Sequence, residues 1–244
     1  MDGTVYHGNK PIAGAVDFIN RFTSMGRLIR FITNRSDRKS EEVADQLQGM
    51  GIQCTPEMVI TSAMVVANLV MDRRVAIVGS KTLVEILEAG RAIVTENNPQ
   101  DIVVGYDPSV TFEDIGLVCK FIQSGARYIA TNSDLCIKSE FGLMPENGAI
   151  LTAVESVTNR TPIIVGKPGT AMIELALKSM GLSANSTIVV GDNLETDIAG
   201  ANACRLRSAL MLTGVTDSAM VKSSPIKSTW CLKNYTELGS LIFG

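Results

Sequence analysis

Thr187-Ile188-Val189-Val190-Gly191-Asp192-Asn193-Leu194-Glu195-Thr196-Asp197 is the stretch whose reading decides the fold. The apolar, β-branched run 187–190 reads as a buried strand. Gly191-Asp192-Asn193 then stands where that strand would end. The pattern recurs twice: Thr33-Asn34 follows the apolar run 28–32, and Gly166-Lys167-Pro168 follows 163–165. In open parallel α/β sheets, ligands bind outside the carboxyl ends of the strands. Three polar clusters at such ends point to one shared pocket, although any one of them alone reads equally well as an ordinary polar loop.

Working outward, further short apolar runs at 75–78, 102–104, 128–130 and 209–212 read as strands. Helical spacing fills the gaps. Ile12, Val16, Ile19 and Phe22 recur at helical spacing with Gly26 behind them, and Ile173, Leu177 and Met180 do so ahead of Gly181. Strands alternating with helices predict a Rossmann-like parallel-sheet α/β architecture. Asp72-Arg73-Arg74 and Thr158-Asn159-Arg160-Thr161-Pro162 look like seams. They predict a discontinuous core over 1–73 and 161–244 with an inserted α/β domain over 74–160.

Composition narrows the function classes. The chain has 244 residues, of which 45% are hydrophobic and 19% charged, with a formal net charge of -3. That balance gives no electrostatic case for nucleic acid or an anionic membrane. The five cysteines lack CxxC spacing, which excludes the usual zinc and redox motifs. Dispersed thiols suit a cytoplasmic protein, and no apolar run reaches membrane-spanning length. Oligomeric state is left open, a homo-oligomer included.

The polar residues suggest chemistry. Asp2, Asp192, Glu195 and Asp197 are hard oxygen donors with no His or Cys beside Asp192 and Asp197. Converging carboxylates about 4 Å apart repel by roughly 4 kcal/mol at an effective dielectric of 20, so they need a cation or raised pKa values. Oxygen-only ligation with open positions suits Mg²⁺ held partly by water and a substrate phosphate. Lys167 could neutralise a carboxylate and a phosphate oxygen, and Thr33 and Asn34 could donate to phosphate. Together these are parts for in-line phosphoryl transfer. The plainer roles are a helix N-cap for Asp192-Asn193, a helix surface for Asp197 and a solvated loop for Lys167. The one histidine, His7, reads as structural or rim-exposed.

The order Asp2-Gly3-Thr4, Thr33-Asn34, Gly166-Lys167-Pro168 and Gly191-Asp192-Asn193-Leu194-Glu195-Thr196-Asp197 resembles the four motifs of the haloacid dehalogenase (HAD) superfamily. The branch resembled is the NagD-like, p-nitrophenyl phosphatase-like group with a C2-type cap. Thr55-Pro56-Glu57, Ile60-Thr61-Ser62, Ala130-Thr131-Asn132-Ser133-Asp134 and Leu212-Thr213-Gly214-Val215 add to the likeness, which runs from Met1 to about Thr216. The resemblance implies a Mg²⁺-dependent phosphatase acting on a small phosphorylated metabolite through an aspartyl-phosphate. It implies Asp2 as general acid/base and, through its backbone carbonyl, metal ligand, with Thr33 as the phosphate-binding hydroxyl and Lys167 as the charge-neutralising lysine among the catalytic residues, and Asp192 as metal carboxylate with Asp197 beside it. Thr131, Asn132 and Asp134 would face the substrate, with Asn34 and Arg35 beside them. Arg35 departs from the branch's usual Asn, and could meet an anionic substrate group or point to solvent.

The motif's first Asp, the nucleophile, is expected just upstream of Met1, at the end of a central strand. No thioether attacks phosphorus as a carboxylate does, so the 244 residues as written are not expected to form an aspartyl-phosphate. Loss of a central strand would forfeit on the order of 10 kcal/mol in hydrogen bonds and apolar burial, comparable to a whole domain's stability. The expectation is therefore a natural chain that extends upstream. The alternative is a catalytically inactive phosphate- or metabolite-binding protein.

Overall fold

The computed structural model describes residues 1–139 and 142–244. The chain divides into two compact units, one built from Met1–Ile32, Ser40–Ile60 and Lys167–Gly244, the other from Thr33–Lys39 and Thr61–Gly166.

The first unit holds a parallel three-stranded sheet. Ile188–Gly191 pairs with Arg207–Met211, which pairs with Trp230–Leu232, in the register Val190↔Ala209↔Trp230. Helices Ala171–Met180, Ala199–Ala203 and Tyr235–Phe243 belong to the same unit. Gly181, at φ 64°, ends Ala171–Met180 in the left-handed conformation that the sequence position suggested. Helix Ala15–Ser24 packs Ala15 against Ala209, Met211, Tyr235 and Leu238, and Ile19 against Phe31, Val43, Leu47 and Val59. One helix face thus serves two core clusters, as its apolar spacing requires.

Strand Phe31–Thr33 pairs with Val59–Thr61 in a separate two-stranded sheet. Among the described residues, the edge of Ile188–Gly191 away from Arg207–Met211 carries no partner strand. A cavity of about 400 Å³ lies in this unit, lined by Ile29, Arg30, Phe31 and Ile32 and by Ile188, Val189 and Val190. Successive residues of a strand point to opposite faces. Phe31 and Ile32 are consecutive in one strand and Ile188, Val189 and Val190 in another, so the space runs along an edge of each. Met1, Lys167 and Asp197 also line it, as do Phe18, Ile173 and Leu238.

The second unit has its own five-stranded, all-parallel sheet. Its order is Ile163–Ile164, Arg127–Ala130, Asp101–Val104, Arg74–Val78, Ile93–Val94. The runs Val75-Ala76-Ile77-Val78 and Ile102-Val103-Val104 are almost wholly apolar because strands covered on both faces need no alternation. Helix Phe112–Gln123 begins with a reciprocal capping box between Thr111 and Asp114. Asp101, 0% exposed, is satisfied by Arg73 Nε and by Arg127 Nε at 2.6 Å. Cys136–Ser139 and Gly142–Pro145 pair antiparallel. No helix among the described residues is long and apolar enough to cross a membrane.

Candidate active site

In the first unit, strand Ile188–Gly191 delivers Asp192 at its carboxyl end, and the chain then makes one π-helical turn, Leu194–Ile198. That turn buries Leu194, Asp197 and Ile198 together, so Asp197 is directed back toward the strand end. Asn193, not Asp192, caps the turn, accepting from Glu195 N at 2.9 Å. Asp192 is left for another task, with 3% of its surface exposed.

The Asp192 carboxylate is held from both sides. Thr4 Oγ1 donates to Oδ1 at 2.7 Å, and Val215 N donates to Oδ2 at 2.9 Å. A Cβ at Gly3 or Gly214 would overlap this carboxylate, so both glycines are required by close approach. Each Asp192 oxygen, with one donor already, retains acceptor capacity for a cation.

Asp197 is committed differently. Its Oδ1 accepts from Lys167 Nζ at 2.7 Å, with side chains only 11% and 9% exposed. Its Oδ2 accepts from the backbone N–H groups of Asp192 and Asn193, each at 3.2 Å. Burial pushes the Asp197 pKa up, but Lys167 and the Met1 ammonium outweigh it and hold the carboxyl below its ordinary value. Burial pushes the Met1 α-amine below its ordinary value and Lys167 adds to that, while Asp197, Asp192 and Asp2 oppose it. Asp197 therefore fixes Lys167 and the strand-end loop, and spends most of its lone pairs doing so.

The Asp2 side chain turns toward solvent: it is 71% exposed, and Oδ1 lies 3.6 Å from His7 Nδ1. Tyr235 Oη donates to Thr4 O at 2.9 Å, and Thr213 Oγ1 donates to Gly3 O at 2.7 Å, so the segment after Asp2 is anchored. Among the described residues no three His, Cys, Asp or Glu side chains gather as a self-sufficient metal cage. The donor chemistry here is all hard oxygen, which fits Mg²⁺ held through few protein ligands, water and a substrate phosphate.

The remaining candidates lie in the second unit. Thr33 is buried at the end of Phe31–Thr33, and its Oγ1 accepts from Arg35 N at 3.2 Å. Arg35 makes a two-point pair with Asp37, Nε to Oδ1 and Nη2 to Oδ2, both at 2.6 Å. Asn34 Nδ2 and Asn132 Nδ2 both donate to Asp134 Oδ2, at 3.0 and 2.9 Å. Thr131 Oγ1 donates to Asn132 Oδ1 at 3.0 Å. A Cβ at Gly166 would come within 2.5 Å of Thr131 O and 2.8 Å of Asn34 Oδ1.

Two residues escaped the sequence reading. Thr4, bonded to Asp192, stands in the quoted Asp-Gly-Thr segment but was given no role. Glu146 is 7% exposed, and both its oxygens accept from Asn132 Nδ2, at 3.0 and 2.8 Å. The signal for it was present: an acidic residue directly before the helix Asn147–Thr158.

Comparisons with known proteins bear on this arrangement. The profile of a haloacid dehalogenase-like hydrolase family matches residues 1–90, and a second HAD-hydrolase-like profile matches 164–238. The chain is 34% identical over 242 residues to the 5'-nucleotidase YutF of Bacillus subtilis, covering 97% of this chain and 94% of that one. NagD from E. coli K-12 superposes with a TM-score of 0.91 at 28% identity, over 97% of this chain and 95% of NagD. A glycerol phosphate phosphatase from Mycobacterium tuberculosis, solved in complex with magnesium, superposes with a TM-score of 0.90 at 31% identity, over 98% of this chain and 74% of that one.

Proposed function

We propose a phosphatase function from the premise that this chain belongs to the haloacid dehalogenase-like hydrolase family, on its NagD-like phosphatase branch. In this reading it is a Mg²⁺-dependent phosphomonoester hydrolase acting on a small phosphorylated metabolite, and the activities printed for its relatives, a 5'-nucleotidase, a glycerol phosphate phosphatase and an acid sugar phosphatase of Staphylococcus haemolyticus that is 32% identical, bound the search to nucleotides, glycerol phosphate and sugar phosphates. The observation that carries it is the buried Lys167–Asp197 pair beside the doubly anchored Asp192, all at the carboxyl end of one parallel strand.

The chain's own groups divide the work. Lys167, pinned by Asp197, presents a fixed positive charge to a phosphate oxygen, and its orientation costs nothing at the moment of reaction. Thr33 and Asn34 donate to phosphate. The Asp192 carboxylate and the Asp2 backbone carbonyl would hold the metal, with Asp197 beside them. A bound Mg²⁺ would neutralise charge on the transferring phosphoryl group. Asp2, exposed and able to exchange protons with water, protonates the leaving alkoxide as the ester P–O bond breaks. The same carboxylate then takes a proton from the water that hydrolyses the acyl-phosphate. The covalent step requires a carboxylate immediately N-terminal to Met1, whose oxygen forms the new bond to phosphorus. Thr131, Asn132 and Asp134, with Arg35 near them, contact the remainder of the substrate.

The test is turnover. A chain extended at Met1 by an apolar strand ending in Asp should release inorganic phosphate from p-nitrophenyl phosphate and from metabolite phosphomonoesters with Mg²⁺. Saturable phosphate binding without release by that extended chain would favour the non-catalytic binding protein. Neither binding nor release would overturn both.

A further inference from the structure

We propose that Glu146 is a positioning residue for the substrate-facing amides, holding Asn132 and, through Asp134, Asn34 in the orientation that binds the non-phosphate part of the substrate. This rests on the reading above that Asn34, Asn132 and Asp134 face the substrate.

The hydrogen bonds are directional. Asn132 Nδ2 carries two N–H groups and meets three carboxylate oxygens: Glu146 Oε1 and Oε2, and Asp134 Oδ2. Its Oδ1 accepts from Thr131 Oγ1. A flipped amide would turn its carbonyl oxygen toward two carboxylates and its N–H groups toward a hydroxyl, so the charged Glu146 selects one orientation. Asp134 takes one donor from Asn132 and another from Asn34, and its position follows from both. Glu146 is itself anchored by Asn147 N, at 2.8 Å from Oε2. Asn147 Nδ2 donates to Asn132 O at 2.8 Å, so backbone and side chain of Asn132 are fixed from the same helix start.

A protonated Glu146 changes this. One oxygen becomes an O–H donor facing an amide nitrogen that cannot accept, and the link to Asn132 loosens. Burial pushes the Glu146 pKa up to about 7; the Asn132 hydrogen bond opposes that, Asp134 adds to it, and Asn147 N and Arg35 oppose it. Asp134 and Arg35 are the charged groups that act on it, with Arg35 paired to Asp37. The orientation of Asn132 is thereby sensitive to pH near neutrality, whereas phosphate capture by Lys167 does not pass through Glu146.

The experiment compares the 244-residue chain with its Glu146→Gln variant by calorimetric titration at pH 6 and pH 8.5 with Mg²⁺. The probes are glucose 6-phosphate and inorganic phosphate. The ratio of the two proteins' Kd values cancels each ligand's own ionisation. For glucose 6-phosphate the ratio should be near one at pH 6, where Glu146 is neutral like Gln. At pH 8.5 the unmodified chain should bind more tightly by a factor of about five to ten, the worth of roughly one hydrogen bond. For inorganic phosphate the ratio should stay near one, which also reports an intact fold. A glucose 6-phosphate ratio that is flat with pH, or a phosphate ratio that moves equally, overturns the inference. Absence of inorganic phosphate binding instead sinks the phosphatase reading. In that event the Asn132 side-chain amide resonances still decide the link to Glu146: they should titrate near pH 7 in the unmodified chain and not in Glu146→Gln, and their failure to do so overturns it.

Discussion

Replacing Lys167 by Met removes the cation opposite a buried carboxylate and keeps most of the side-chain volume. Lys167 Nζ lies 2.7 Å from Asp197 Oδ1, and both side chains are nearly sealed from water. Breaking such a pair from one side costs about 3–5 kcal/mol, because the remaining charge is buried without compensation. The pH dependence gives a sharper signature. Asp197 has its pKa lowered in the folded chain, so its contribution to stability is present above the ordinary carboxylate pKa and is lost as pH falls through the lowered value. Without Lys167, burial becomes the dominant influence and raises the Asp197 pKa. The Met1 amine cannot substitute fully, since burial lowers its own pKa. Lys167→Met should therefore lose stability as pH rises from 4.5 to 7.5, the reverse of the unmodified chain's behaviour at this group. The assay is urea unfolding followed by the single tryptophan, Trp230, which lies in the first unit's sheet. The double variant Lys167→Met/Asp197→Asn should recover most of the loss at pH 7.5. A single variant within about 1 kcal/mol of the unmodified chain at pH 7.5, the scale of an exposed pair, would refute the reasoning; so would a double variant no better than the single one.

Other perturbations have equally definite outcomes. Glu146 has a folded pKa of about 7 against an ordinary 4.5, so its contribution is most favourable below the ordinary value and is lost as pH rises through about 7. Glu146→Gln should remove that loss, on the order of 3 kcal/mol between pH 4.5 and pH 8, and an unchanged pH–stability slope would contradict it. A six-residue apolar strand fused ahead of Met1 should enter the cavity lined by Phe31, Ile32 and Ile188, Val189 and Val190 and raise the thermal midpoint. A proline placed third in that extension should cancel the gain, because it cannot donate to a neighbouring strand; equal midpoints for both extensions would count against a strand in that cavity.

Much of the fold was legible because buried parallel strands announce themselves as apolar runs. The expected strand 75–78 is observed as Arg74–Val78, 102–104 as Asp101–Val104, and 209–212 as Arg207–Met211. Helix Ala15–Ser24 starts later than the apolar spacing suggested, since Gly14 adopts φ 81° in front of it. The pairs Tyr6–His7 with Lys10–Pro11 and Cys136–Ser139 with Gly142–Pro145 were not legible, being short or lacking a clear alternation. At the site, residue types were readable but directions were not. Spacing placed Asp192 and Asp197 near one strand end, yet only the π-helical turn shows that Asp197 faces Lys167. The role of Glu146 depends on contact with Asn132 from a distant segment, which no local pattern encodes.

The central claim is that Asp192 binds the metal for phosphate chemistry, and Mg²⁺ titration in the presence of inorganic phosphate tests it most directly. The unmodified chain should show saturable Mg²⁺ binding, and Asp192→Asn, which keeps an acceptor for Thr4 but loses the charge, should bind at least about tenfold more weakly. Superimposable titrations for the two proteins would contradict the account.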